Sequence, residues 1–308
     1  EMSSSSVPAL FPSPFFSSQS FSLHICNFLL KYSNIYGAEH PERSLMLRKK
    51  TSHCLLPAVL FFLCAIFLIP AHTQAAPRIN LGKYKKGDGY LVIAYNTRYG
   101  KTTAVRSQPS SKASKLATLK HSDAVVVDQS QITEGMRSSW IPVYLPDKNV
   151  TGYVSTSIMR LKAISYESFK KGATPYAYDA ICYGLKYLGT RYQSGGNDLK
   201  NGICCSALVT KCFRKAGRNM PETYVINQYN ECKFISRKDL KPGDLIFYRS
   251  NTLPPYGGLV HVAIYMGNGL ILNATGHTGS SYPNGGICIK TLSYGSHLAS
   301  RAIYGRLL

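Results

Sequence analysis

Short runs of β-branched and aromatic residues alternate with turn residues from Tyr84 to Leu161, in "TTAVRS", "LATLKHSDAVVVDQ", "SWIPVYL" and "NVTGYVSTSIMRL". That rhythm predicts a small antiparallel barrel. The period then lengthens. In "TPYAYDAICYGLKYLGT" Thr174 can cap a helix, Pro175 suits its first turn, and Ile181, Leu185 and Leu188 form one stripe before Gly189. A second helix is predicted in "CCSALVTKCFRKAG", stopping at Gly217. After it, "DLKPGDLIFYR", "LVHVAIYMGNGLILNAT", "GICIKTLSY" and "RAIYGRLL" return to strand spacing. Helices first and antiparallel strands after predict an α+β unit behind the barrel.

The first 75 residues fit neither pattern. "SSSSVPALFPSPFFSSQSFS" is Ser-rich and aperiodic, whereas "MLRKKTSHCLLPAVLFFLCAIFLIPAHTQAAP" has basic residues, an apolar run and small residues in the order of an export signal. The run from Leu55 to Pro70 is shorter than the about 20 residues a spanning helix needs and contains Pro57, which favours a cleaved signal over a retained anchor. The expected organisation is 1–45 as an untranslated or disordered upstream segment, 46–75 as signal peptide, 76–162 as the barrel and 163–308 as the α+β unit.

Composition sharpens the picture only modestly. The 308 residues are 44% hydrophobic and carry a formal net charge of +21; from Ala76 onward, 31 Lys and Arg stand against 12 Asp and Glu, or +19. An exported chain with that charge is expected to meet an anionic cell envelope, with no nucleic acid partner. No block of like charges forms a dedicated arm. Zinc ligation is not expected, because Cys-x-x-Cys pairs and histidines at helical spacing are absent.

Candidate chemistry lies in the cysteines of the second helix. Cys205, Leu208, Val209 and Cys212 share one face, and Cys212, well inside the helix, reads as a small buried hydrophobe. Cys205 sits in the first turn, where the helix dipole and unpaired N–H groups lower a thiol pKa. It is therefore expected to react first with iodoacetamide at mildly acidic pH. A strained disulfide between Cys204 and Cys205 is the competing possibility.

A nucleophilic cysteine needs a base. Of His121, His261, His277 and His297, only His261 opens a strand of the second half. With a two-residue Asn268-Gly269 turn, Asn273 would fall among apolar side chains; a three-residue Gly-Asn-Gly loop instead puts Val262, Ile264, Met266, Leu270, Leu272 and Ala274 on one face. That register leaves His261 and Asn273 together on the other face. Cysteine, histidine and amide then form the arrangement of a papain-like hydrolase.

These residues carry two resemblances. Val105-Arg106, Pro109, Val125 to Val127, Trp140 and Gly152-Tyr153-Val154 resemble a bacterial SH3-like domain, with Ser122 where a turn glycine is usual. "YLGTRYQSGG", "ICCSAL", "DLKPGDLIFY", "HVAIYMGNG" and "LILNA" resemble, in order and spacing, the NlpC-type family of cell-wall cysteine endopeptidases. The implied fold is an all-β SH3-like small barrel followed by an α+β papain-like cysteine peptidase domain, with N-terminal helices packed on an antiparallel sheet.

By this resemblance Cys205 is the nucleophile, His261 the base and Asn273 the third polar residue. Tyr192, Ser206 and Cys204 are expected at the substrate, which the family takes from peptidoglycan stem peptides by cutting the γ-D-glutamyl bond to a diamino acid. No cofactor is implied, and no stable membrane span after signal removal. The nucleophile motif departs from the family's Asp-Cys-Ser-Gly: Cys204 replaces the aspartate and Ala207 the glycine. Loss of the aspartate removes a helix cap and a carboxylate used around a free substrate amine, which leaves substrate preference open. Asp244, in "KPGDL", reads as a turn residue. Three readings follow: an exported peptidoglycan amide hydrolase, a non-catalytic wall-binding protein on the same fold, and a related cysteine amidase or acyltransferase.

Overall fold

A computed structural model describes residues 76–221, 224–250, 258–294 and 302–308. The segments 1–45 and 46–75, with the expected signal peptide, lie outside the described residues, as does His297. No described helix is long and apolar enough to cross a membrane.

Seven strands of the main sheet lie in the first half: β1 (Tyr90–Asn96), β2 (Thr103–Arg106), β3 (Lys115–Leu119), β4 (Asp123–Val127), β5 (Trp140–Leu145), β6 (Val150–Ser155) and β7 (Met159–Ser165); Ile79–Asn80 and Arg137–Ser138 form a separate two-residue pair. They pair antiparallel, with β1 between β7 and β4 and the order continuing β4-β5-β6-β2-β3. Their inward positions, among them Val92, Ala94, Val105, Leu119, Val125, Ile141, Val143 and Val154, form one core, which Tyr282 and Cys288 of the second half also enter. Trp140 stays half-buried at the start of β5, outside that core. The expected junction at 162/163 falls within β7.

The second half contains α1 (Ala177–Leu185), α2 (Cys205–Lys215) and α3 (Val225–Asn230), followed by β8 (Cys232–Ile235), β9 (Leu245–Arg249), β10 (Leu259–Gly267), β11 (Leu270–Thr275), β12 (Gly286–Thr291) and β13 (Ala302–Leu307). The strand order is β8-β13-β9-β10-β11-β12, and α1 and α2 lie on one face of it. Their buried side chains, including Ile181, Leu208, Val209 and Phe213, meet Val262, Ile264, Met266 and Leu272 from the sheet. Close approach is possible because Gly184 has no side chain; a Cβ there would come within 2.6 Å of Leu272 Cδ2 and 2.9 Å of Cys212 Sγ.

Two local expectations are corrected. Helix α1 begins at Ala177, not at Thr174: Tyr176 adopts φ 67°, and the Thr174 hydroxyl is drawn to the Pro242 carbonyl 3.2 Å away instead of capping. The β10–β11 hairpin closes through a two-residue turn, Asn268 and Gly269, both at positive φ, and a bulge at Met266 adds the offset attributed to a three-residue loop. The resulting register, with Ile264 opposite Leu272 and Tyr265 opposite Ile271, is the one that gathers the six apolar side chains on the helix side.

The two halves share one sheet. Strand β12 pairs with β11 on one edge and, through Ile289–Ala124 and Lys290–Asp123, with β4 on the other, so 13 strands are continuous. Lys290 and Asp123 form a buried ion pair at this seam, and Lys162 Nζ also donates to the Asn268 carbonyl at 2.8 Å.

Candidate active site

Cys204 stands at the start of α2 with extended backbone angles, φ −96° and ψ 173°, and its carbonyl accepts from Leu208 N–H at 3.1 Å. Its side chain makes no capping bond. The sulfur instead lies 3.7 Å from Ser206 Oγ. Ser206 is also held by its backbone, whose carbonyl accepts from Gln228 Nε2 at 2.8 Å. Cys204 and Cys205 are both free thiols, so the disulfide between them does not form, and Cys182, Cys212, Cys232 and Cys288 are free as well.

Cys205 is the first residue of α2 and only 5% exposed. The backbone N–H of Val262, next to His261 on β10, interacts with its sulfur, as do those of Ser206 and Cys205 itself. The expected lowering of the thiol pKa is not what the site produces. Burial pushes it up to about 11, the neighbouring Cys204 adds to the rise, and the three N–H groups offset only part of it. Removing a thiolate from water costs more here than the helix N-terminus returns.

His261 is the third residue of β10, next to Val262, whose N–H meets the Cys205 sulfur. Its Nε2 lies 3.2 Å from Asn273 Oδ1, while Asn273 Nδ2 donates to the Cys288 carbonyl at 3.0 Å. The second bond fixes the amide's orientation, because only the NH2 end can donate to a carbonyl. Oδ1 is thereby presented to the imidazole, Nε2 must carry the hydrogen, and Nδ1 is left with the free lone pair. Burial pushes the imidazole pKa down to about 4, with Asn273 opposing the fall. Thiol and imidazole are therefore both neutral near pH 7.

Two tyrosines complete the cradle of the imidazole. Tyr248, opposite His261 on β9, has its ring centroid 5.6 Å from the imidazole, and Tyr294 is 6.2 Å away with a T-shaped orientation. Tyr294 is anchored by a 2.6 Å hydroxyl contact to Thr275. Sequence reasoning missed both. Tyr248 was signalled by its strand position opposite His261; Tyr294 sits in a turn after β12 with no periodic signal.

Tyr192 bridges Ile203, just before the two cysteines, and exchanges backbone hydrogen bonds with Ser280 at 2.8 Å and Gly279 at 2.9 Å. Burial, then the thiols of Cys205 and Cys204, push its phenol up to about 12. It therefore stands beside both sulfurs as a neutral hydroxyl. Asp244 lies apart from this group: it accepts Arg306 Nε and Nη2, each at 2.8 Å, and Lys241 N–H at 2.6 Å, the bonds of a structural turn residue. His121 packs on Tyr99, and His277 occupies an exposed loop. Among the described residues, no group of three His, Cys, Asp or Glu side chains is placed to hold a metal ion.

The model of the NlpC/P60 family matches residues 189–293. The probable endopeptidase p60 of Listeria welshimeri is 39% identical over 105 residues, covering 34% of this chain and 18% of that protein. The Gamma-DL-glutamyl hydrolase of Bacillus subtilis (strain 168) is 29% identical over 140 residues, 45% of this chain and 32% of its own. The Murein DD-endopeptidase MepS/Murein LD-carboxypeptidase of Escherichia coli (strain K12) is 35% identical over 92 residues, 30% and 45%. The chain thus spans less than half the length of each of these relatives. The matched segment contains Tyr192, Cys205, Tyr248, His261, Asn273 and Cys288, and Tyr294 lies just beyond its end. Residues 189–293 of this chain are an NlpC/P60 family domain.

Proposed function

We propose that the protein is an exported peptidoglycan hydrolase, a cysteine endopeptidase that cuts amide bonds in stem peptides, at the γ-D-glutamyl bond to a diamino acid. The observation that carries this reading is the orientation of His261: Asn273 holds its Nε2–H, leaving a neutral Nδ1 as base, and the next residue's N–H reaches the Cys205 sulfur. As the sulfur attacks the amide carbonyl, Nδ1 takes the thiol proton and later delivers it to the leaving amine; water then releases the acyl group. The oxyanion would form against the backbone N–H at the start of α2. The relatives named as endopeptidases, and the Bacillus subtilis protein named as a Gamma-DL-glutamyl hydrolase, support the bond class.

In this reading strands β1–β7 are an SH3-like domain that shapes the substrate site, and 46–75 is the signal that takes the chain to the envelope. Tyr192, Ser206 and Cys204 line the substrate cleft. Digestion of purified wall fragments followed by mass spectrometry tests the proposal: new free amino termini on the diamino acid support it, and intact stems after prolonged incubation at neutral pH overturn it.

One observation favours a second reading, wall binding without catalysis. Both reacting groups are held neutral by burial, and the thiolate that would attack directly is disfavoured. Binding of stem peptides by the wild-type protein with no product, and with no loss on Cys205→Ala, would select it.

A further inference from the structure

We propose that Asp123 and Lys290 are positioning residues, through which the N-terminal strands hold the cradle of His261. The inference rests on His261 being the base of the reaction proposed above. The two side chains are 3% and 2% exposed, and the ammonium of Lys290 is shared among the Asp123 carboxylate and the carbonyls of Pro283 and Asn284, each at 3.1 Å. The other carboxylate oxygen accepts Asn284 Nδ2 at 2.6 Å and Lys120 N–H at 2.8 Å. Every polar atom of the pair is occupied. A buried pair of this kind adds little stability over well-packed apolar side chains, and what it supplies is one fixed arrangement.

That arrangement reaches the imidazole by two routes. Along the seam between β12 and β4, Ile289 pairs with Ala124 and Lys290 with Asp123, and the Thr291 N–H donates to the Ser122 carbonyl at 2.9 Å, so the ion pair sits within the short contact that sets where β12 lies along β4. Two residues before Lys290 on β12 is Cys288, whose carbonyl takes the Asn273 amide and so decides which nitrogen of His261 is free. Four residues after it is Tyr294, whose ring lies 5.6 Å from the Lys290 ammonium and 6.2 Å from the imidazole. A shift of Lys290 displaces both walls of the cradle. Asp123 belongs to the half of the chain that precedes the family segment, so the charge that sets the site comes from outside it.

The test uses the full chain with Asp123→Asn, Lys290→Met, and the double variant Asp123→Leu with Lys290→Met. Three quantities are read: Tm, kcat and KM on a defined stem peptide, and the His261 tautomer by nitrogen-15 NMR. Each single variant should lose about tenfold or more in kcat, the cost of one misplaced hydrogen bond, with KM within about twofold. The apolar double variant should regain Tm while kcat stays low and His261 populates both tautomers. Recovery of kcat together with Tm, or an unchanged tautomer in all three variants, would overturn the inference. A wild-type protein that cleaves no stem peptide would sink the proposed function alone, since the tautomer still decides the role of the pair.

Discussion

Asn273 Nδ2 donates to the carbonyl of Cys288 at 3.0 Å, and that bond assigns the hydrogen on His261. Without it the amide could turn over and offer its NH2 to the imidazole, which would then accept at Nε2 and carry its hydrogen on Nδ1. A base with Nδ1 protonated cannot take the thiol proton. Asn273→Ala should therefore lower kcat by about 10- to 100-fold, the range expected when a hydrogen bond to a group that becomes charged is removed. His261→Ala should cost about 10²- to 10⁴-fold, because the base itself is gone. Steady-state rates on one stem peptide give the comparison, and an Asn273→Ala variant slower than His261→Ala contradicts the assignment.

The depressed imidazole pKa makes a pH prediction with a definite sign. The folded value, about 4, lies below the unfolded value of about 6.5, so the unfolded chain binds the proton more readily between them. The stabilising contribution of neutral His261 is present above pH 6.5 and is lost progressively as the pH falls toward 4. The acid limb of kcat/KM should lie near pH 4 for the same reason, since the free enzyme's base stays unprotonated until then. Iodoacetamide labelling of Cys205 should be slow at pH 6 and accelerate toward pH 11, the reverse of what its helix position alone suggests. An acid limb at pH 6.5 would show that the His261 pKa is not depressed, and rapid labelling at pH 6 would show that Cys205 carries a thiolate.

The contrast between helix position and thiol pKa shows where the sequence was informative and where it was not. The β10–β11 register was readable because six apolar residues had to share a face, and the sheet met that demand with a bulge at Met266 when the turn itself supplied two residues. The start of α1 was misread because the hydroxyl of Thr174 bonds to Pro242, 68 residues away, which no local pattern encodes. The thiol pKa depends on how deeply tertiary packing buries Cys205. Cys288 acts through a carbonyl, an atom every residue has, so its role became visible only once β12 lay beside β11. The pairing of β12 with β4 was equally silent, since nothing in either strand names the other.

Asp244 provides a control for the site. It is fully buried, accepts both Arg306 bonds and the Lys241 N–H, and has no contact with the imidazole cradle among its described partners. Asp244→Ala leaves those donors unmatched and should cost about 1–3 kcal/mol of stability. Activity per folded molecule should be unchanged at a temperature well below the lowered Tm. Thermal melts paired with active-site titration separate the two effects; loss of kcat without loss of Tm would make Asp244 part of the chemistry.

The two adjacent cysteines should separate cleanly by substitution. Cys205 has its sulfur at the Val262 N–H, one residue from His261, whereas Cys204 occupies the cap position, turns its sulfur toward Ser206 and leaves the helix without a side-chain cap. Cys205→Ala should abolish hydrolysis with the fold retained, and Cys204→Ala should keep measurable turnover. Cys204→Asp should restore the missing cap and raise stability by about 0.5–2 kcal/mol. The new carboxylate would also stand near Tyr192, beside both present sulfurs, where it can receive a substrate ammonium, so preference should move toward stems with a free N-terminal amine. Competition between free-amine and acylated stems, measured on wild type and Cys204→Asp, checks that shift. Full activity in Cys205→Ala, or none in Cys204→Ala despite a native melt, would exchange the roles of the two residues.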